Sequence, residues 1–268
     1  MNNFTSVSEH DETCSVCETK IPETDFQREI ADCCRQLRLS SGLAARAMTQ
    51  NGMSNQAYLL NLLQSEVEYR RTKRISTLLN TAGFPRRYSF QDFQSSEVQF
   101  PTDVTAESLM SLTFFHEHKN VIMYGGTGTG KTMLSICIGI KACENEIPVR
   151  FFRTAALINM LSEARQQGNL SKFLKKLYKA DLIILDEVGY VPYDRTGSQL
   201  LFDFLSDIHE RKSLILNTNL EFSRWVNVFY DEQMTAALVG RLMHHCHLVL
   251  FPGGNHRLQE SSIQNSFR

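Results

Sequence analysis

Residues 125–132 read Gly125-Gly126-Thr127-Gly128-Thr129-Gly130-Lys131-Thr132 and satisfy the pattern G-x-x-x-x-G-K-[ST]. That pattern has a mechanical meaning only when a strand leads into it and a helix leaves it. Both flanks fit. Asn120-Val121-Ile122-Met123-Tyr124 is short and apolar, as a buried parallel strand requires, and Met133 to Ile140 is apolar enough for a helix packed on a sheet. Between them the glycines let successive backbone N–H groups turn inward, and the helix N-terminus adds partial positive charge. Such a loop cradles the phosphates of a nucleoside triphosphate. Lys131 then reaches the β- and γ-phosphates, and the Thr132 hydroxyl ligates Mg²⁺.

The chain beyond this loop alternates strands and helices. Pro148 to Arg153, Leu182 to Leu185, Leu214 to Leu216 and Leu248 to Phe251 are further apolar strands. With the strand before the loop they make five, and the intervening helical stretches predict a parallel α/β sheet covered on both faces. Ligands in such sheets bind beyond the carboxyl ends of the strands. Leu182-Ile183-Ile184-Leu185 ends there in Asp186 and Glu187, about 55 residues after the loop. Asp186 suits Mg²⁺, as a Walker-B aspartate does. Glu187 suits the polarisation of a water attacking the γ-phosphate. The next strand ends in Asn217-Thr218-Asn219, and a polar side chain there can bond the attacking water or the γ-phosphate. Asn219 is the first choice and Thr218 the second.

Charge is unevenly distributed. Residues 1–34 carry eight acids against Lys20 and Arg28, so the rest of the chain holds +5 of a formal total of −1. This acidic head lacks a sustained period and reads as a weakly ordered extension. Cys14, Cys17, Cys33 and Cys34 lack the second C-x-x-C of a zinc ribbon and read as free thiols. A helical segment follows from Leu37 to about Thr81, with Leu59, Leu60, Leu62, Leu63 and Val67 at spacings near 3 and 4. Its last turns carry Arg70, Arg71, Lys73 and Arg74, either a solvated helix face or a phosphate-contacting surface. Leu170 to Lys179 is a short amphipathic helix with Leu170, Phe173, Leu174 and Leu177 on one side and Lys172, Lys175, Lys176 and Lys179 largely on the other. The expected organisation is an extension over 1–34, a helical domain over 35–88 and the α/β domain over 89–268. No apolar run is long enough for a membrane span and the N-terminus has no secretory character, so a cytoplasmic protein with no membrane partner is expected.

Four stretches together carry a family resemblance: Gly125 to Thr132, Asp186-Glu187-Val188-Gly189-Tyr190, Asn217 to Trp225, and Arg241-Leu242-Met243-His244-His245. They resemble the IstB-type transposition helper ATPases, AAA+ proteins related to bacterial replicative helicase loaders. The resemblance runs from about Leu37 to Leu258. It implies an AAA+ fold and a Mg²⁺-dependent ATPase that forms a homo-oligomer on double-stranded DNA. It further implies delivery of that DNA to a transposase from the same insertion sequence. Arg241 matches the arginine finger that reaches a neighbour's ATP, and Arg257 matches the sensor-2-like arginine. The helical segment matches the DNA-binding domain, which favours the phosphate-contacting reading of Arg70 to Arg74. The helix bearing Lys172, Lys175 and Lys176 lies near an insertion that related initiators use to touch DNA. The alternative is a helicase loader acting on single-stranded DNA. One departure lies in the loop, where Gly126-Thr127 replaces the two prolines usual in relatives. That change loosens the loop without removing a phosphate-binding group.

Overall fold

The computed structural model describes residues 26–49, 55–190, 193–209 and 211–254. The chain divides into two compact units, Met1–Arg70 and Arg71–Arg268. The first unit contains α1 (Phe26–Gln36), α2 (Leu43–Thr49) and the start of α3 (Asn55–Thr81). The start of α1 lies in the stretch read as lacking a period. Ile30 and Cys34 nevertheless fall one helical turn apart, and Cys34 is buried. Leu43, Ala44 and Ala47 of α2 are buried as well.

One carboxylate ties this unit together. Glu66 of α3 is 4% exposed and accepts bonds from the Ser40 backbone N–H at 2.8 Å, from the Ser40 hydroxyl, and from Arg70 Nε at 2.9 Å. Burial alone would raise its pKa, but the Ser40 and Arg70 bonds outweigh burial and hold the carboxyl below its ordinary value. The loop between α1 and α2 is thereby pinned to α3. The periodic residues Leu59, Leu60, Leu63 and Val67 of α3, however, are exposed.

The second unit is built on a five-stranded parallel sheet. Its elements run α4 (Ala106–Met110), α5 (Thr113–His116), β1 (Asn120–Gly125), α6 (Lys131–Glu144), β2 (Val149–Arg153), α7 (Thr154–Gln166) and α8 (Leu170–Leu177). They continue with β3 (Leu182–Val188), α9 (Arg195–Ile208), β4 (Ser213–Thr218), α10 (Val226–Phe229), α11 (Glu232–His244) and β5 (Cys246–Phe251). The strand order is β2-β3-β4-β1-β5, parallel at every pairing.

Side chains alternate between two cores, as a doubly covered sheet requires. Val121, Met123, Ile184 and Ile215 join Leu134, Ile136 and Ile138 of α6 in one. Ile122, Ile183, Leu185, Leu214 and Leu216 join residues of α7, α9 and α11 in the other, which also contains the fully buried Trp225. This is the AAA+ arrangement expected from the sequence. Among the described residues no helix is long and apolar enough to cross a membrane.

The order of strands matters for chemistry. The phosphate loop leaves β1, the acidic pair ends β3, and β4 lies between them. At the other side of β1, Gly125 pairs with Phe251 so closely that a Cβ on Gly125 would lie 2.2 Å from the Phe251 carbonyl oxygen. Gly125→Ala must therefore push β5 away from β1 at the root of the loop. We expect it to destabilise the protein by about 1–3 kcal/mol, read as a lowered Tm. An unchanged Tm would show that the sheet edge absorbs the methyl group freely.

Candidate nucleotide-binding site

The loop from Gly125 to Thr132 arches over the end of β1 and opens into α6. Gly130 sits at the N-terminus of α6 with φ 99°, a left-handed conformation that favours glycine. A Cβ there would lie in ordinary contact with the Phe93 ring at 3.4 Å, so the backbone conformation rather than space is what favours glycine. Lys131 Nζ lies inside the loop, donating to the Gly125 carbonyl at 2.8 Å and to the Gly126 carbonyl, with Thr129 Oγ1 at 3.4 Å. Thr129 in turn donates to the Gly126 carbonyl at 2.9 Å. A cation is thus held within the loop, at the N-terminus of α6, a setting that suits an anionic phosphate.

The two residues of the acidic pair differ in exposure. Asp186 is buried and Glu187 exposed. Thr132 Oγ1 lies 3.0 Å from each oxygen of Asp186. A hydroxyl and a buried carboxylate in contact beside a phosphate cradle are oxygen donors of the kind Mg²⁺ takes together with substrate phosphates. The residues fit that ion.

Glu187 is different in kind. The register between β3 and β4 slips between Leu185 and Val188, and Glu187 occupies that irregularity with φ 60°. A non-glycine residue in this region is strained, and such strain is tolerated where surrounding structure imposes it. The carboxylate points outward, with Arg153 Nε of β2 at 4.0 Å.

The polar end of β4 places its three residues differently. Asn217 is buried and donates from Nδ2 to Asp186 Oδ1 and Ser135 Oγ, both at 3.0 Å. Thr218, also buried, donates to the Val188 carbonyl at 2.8 Å and so closes the β3–β4 irregularity. Asn219 is the first residue beyond the strand and is exposed.

A cleft of about 410 Å³ extends from the loop toward the segment before α4, where Arg86, Tyr88, Asp92, Phe93 and Gln94 line it opposite residues 128–133. The Arg86 guanidinium lies 4.9 Å over the Tyr88 ring. This side of the site is missing from the sequence reading. Tyr88, Phe90 and Phe93 are its only sequence signal, and they follow no helical or strand period.

The remaining candidates lie elsewhere. Arg241 is exposed on α11, with its guanidinium 3.4 Å from Ser206 Oγ of α9, and it does not line the cleft. Arg257 falls outside the described residues. Of the α3 cations, Arg70 bonds Glu66, while Arg71 and Arg74 lie 3.8 and 3.1 Å from the Glu146 carboxylate. Lys73 is exposed. Lys172, Lys175 and Lys176 are exposed on α8, and the first and third rim a groove of about 300 Å³ over Met160, Ala164 and Phe173.

Sheet order, phosphate loop and acidic strand end define a P-loop nucleotide-binding protein of the AAA+ class. Residues 35–264 match the family described as IstB-like ATP binding protein, and the chain belongs to that family. It is 29% identical to an insertion sequence IS5376 putative ATP-binding protein of Geobacillus stearothermophilus, over 89% of this chain and 97% of that one. It is 32% identical to an insertion sequence IS21 putative ATP-binding protein of Pseudomonas aeruginosa, over 76% and 77% of the respective chains. Among solved structures, the replication initiator DnaA bound to AMPPCP and single-stranded DNA superimposes with a TM-score of 0.53. It is 18% identical and covers 66% of this chain and 56% of its own. AMPPCP-bound DnaA from Aquifex aeolicus gives a TM-score of 0.51 at 18% identity, covering 63% and 51%. At such identity the likeness is one of fold.

Proposed function

We propose that this protein is a transposition accessory ATPase. It assembles as a homo-oligomer on double-stranded DNA, hydrolyses ATP, and delivers the DNA to a transposase of the same insertion sequence. The observation that carries the hydrolytic part is the division of labour at the end of β3, where Asp186 is buried against Thr132 and Glu187 is turned outward. Binding requires only the first of these carboxylates. In this reading Lys131 and the N–H groups from Gly125 to Thr132 hold the phosphates. Thr132 and Asp186 hold Mg²⁺, which when bound neutralises charge on the β- and γ-phosphate oxygens. Glu187 accepts a proton from the attacking water as its oxygen bonds to the γ-phosphorus and the bond to the β-phosphate oxygen breaks. Asn219 orients that water or the γ-phosphate. Arg241, exposed on its own subunit, serves the ATP of the next one, and Arg257 contacts the nucleotide bound by its own chain. The cleft beside Tyr88 and Phe93 receives the base.

The DNA part rests on the insertion-sequence relatives and on exposed cations. Residues 35–88 are the DNA-binding segment in this reading, and 89–268 the ATPase segment. Phosphate contact by Arg71 and Arg74 requires DNA to displace Glu146, a partly exposed ion-pair partner and hence a weak competitor. Arg70 is a poor choice for mutagenesis because its loss also strips a partner from buried Glu66.

The test replaces Arg71, Lys73 and Arg74 together, and separately Lys172, Lys175 and Lys176, and measures duplex and single-strand affinity over a range of salt. Each triple replacement should weaken duplex binding for all sequences alike. It should also lower the slope of log K against log salt by about 3, near one for each lost phosphate contact. DNA-independent ATP hydrolysis should persist. Unchanged slopes would return both clusters to ordinary solvated faces. Preference for single strands over duplex would favour the helicase-loader reading.

A further inference from the structure

Four residues at the core of the site form a ring of hydrogen bonds that closes through the Thr132 backbone. Thr132 Oγ1 donates to Asp186, and Asn217 Nδ2 donates to Asp186 Oδ1. The same amide donates to Ser135 Oγ at 3.0 Å, and Ser135 Oγ donates to the Thr132 carbonyl at 3.0 Å. The ring joins the first turn of α6 to the ends of β3 and β4. β4 supplies its fourth member, since β4 lies between β1 and β3 and Asn217 pairs in register with Met123 of β1.

Asn217 is poorly explained by packing. It is 1% exposed, its strand neighbours Ile215 and Leu216 are apolar, and among the described residues its Oδ1 is buried without a hydrogen-bond partner. An unpartnered buried oxygen weakens a fold, and what the amide supplies against that loss is the pair of bonds donated by Nδ2 to Asp186 and Ser135. Asn217 holds one oxygen of Asp186. Thr132 lies equally near both oxygens, so it does not distinguish them, whereas Asn217 bonds Oδ1 alone.

We propose that Asn217 is a positioning residue for the magnesium-binding carboxylate. It fixes Asp186 Oδ1, leaves Oδ2 for the cation and its water shell, and ties that orientation through Ser135 to the helix that follows the phosphate loop. This rests on the reading of Asp186 and Thr132 as the Mg²⁺ site. Outer-shell partners of this kind affect metal affinity by about 10–100-fold when removed.

The experiment titrates a fluorescent ATP analogue at a series of free Mg²⁺ concentrations and in EDTA. It compares the wild type with Asn217→Leu, with Asn217→Ala, which adds no bulk should leucine not fold, and with Asp186→Asn. The account predicts that both Asn217 variants bind the analogue in EDTA as the wild type does. They should need about 10-fold or more Mg²⁺ to reach the half-maximal gain in affinity. Wild-type Mg²⁺ midpoints in the Asn217 variants, with a shifted midpoint in Asp186→Asn, would overturn the role of Asn217 alone. Equal losses with and without Mg²⁺ would assign Asn217 a merely structural part and overturn it too. A wild type whose affinity ignores Mg²⁺ and matches Asp186→Asn would remove the metal site itself, and this inference with it.

Discussion

Lys131→Ala should lose ATP affinity by about 100-fold or more, whereas Glu187→Gln should bind ATP normally and hydrolyse it about 10²–10⁴-fold more slowly. The two outcomes follow from different positions in one site. Lys131 Nζ lies inside the loop on the Gly125 and Gly126 carbonyls, where a triphosphate becomes its natural counter-charge. In the proposed reading, removing it deletes charge-assisted bonds to two phosphates and leaves the loop with backbone N–H groups alone. Glu187 faces away from the buried Thr132–Asp186 contact and takes no part in the cradle. In the proposed reading its loss spares binding and removes only the proton acceptor. Nucleotide titration and steady-state phosphate release separate the two. Near-normal turnover by Glu187→Gln would strike it out as the base, and intact affinity in Lys131→Ala would mean the loop's backbone suffices.

Much of this was legible in the chain because it depends on local order. The phosphate loop needs a strand before it and a helix after it, and both are adjacent in sequence. Two carboxylates closing an apolar strand are visible in the sequence, but β3 is buried throughout from Leu182 to Asp186, and the exposure of Glu187 comes with the irregularity it occupies. What sequence could not supply is set by neighbours distant along the chain. Asn217, Thr218 and Asn219 are consecutive polar residues, and their separate placements follow from the pairing of β4 with both β1 and β3 and from the slip beside Glu187. Period alone cannot reveal that slip.

The same holds for charge. Arg70, Arg71, Lys73 and Arg74 read as one basic cluster, yet Glu66 engages the first and Glu146, far along the chain, engages the second and fourth. The helical period of Leu59 to Val67 gave the helix correctly but not its surroundings, since these residues face outward. The cleft wall at Arg86, Tyr88 and Phe93 comes from a segment with little regular structure, where no repeating pattern exists to read.

The largest effect should come from completing one subunit's site with its neighbour's arginine. Arg241 is exposed with its guanidinium 3.4 Å from Ser206 Oγ, and among the described residues it does not line its own chain's cleft. A guanidinium that stabilises transition-state charge on another subunit's ATP contributes about 10³–10⁵ in rate. Arg241→Ala should then bind ATP normally and hydrolyse it only at trace level, as Glu187→Gln does for the opposite reason. In a mixed assembly, some junctions pair an intact Glu187 on one subunit with an intact Arg241 on the next. The decisive measurement is phosphate release from a mixture of the two variants with ATP and duplex DNA, with light scattering to verify that mixed oligomers form. The account predicts hydrolysis in the mixture well above that of either variant alone. Co-assembly with no gain over the separate variants would contradict it.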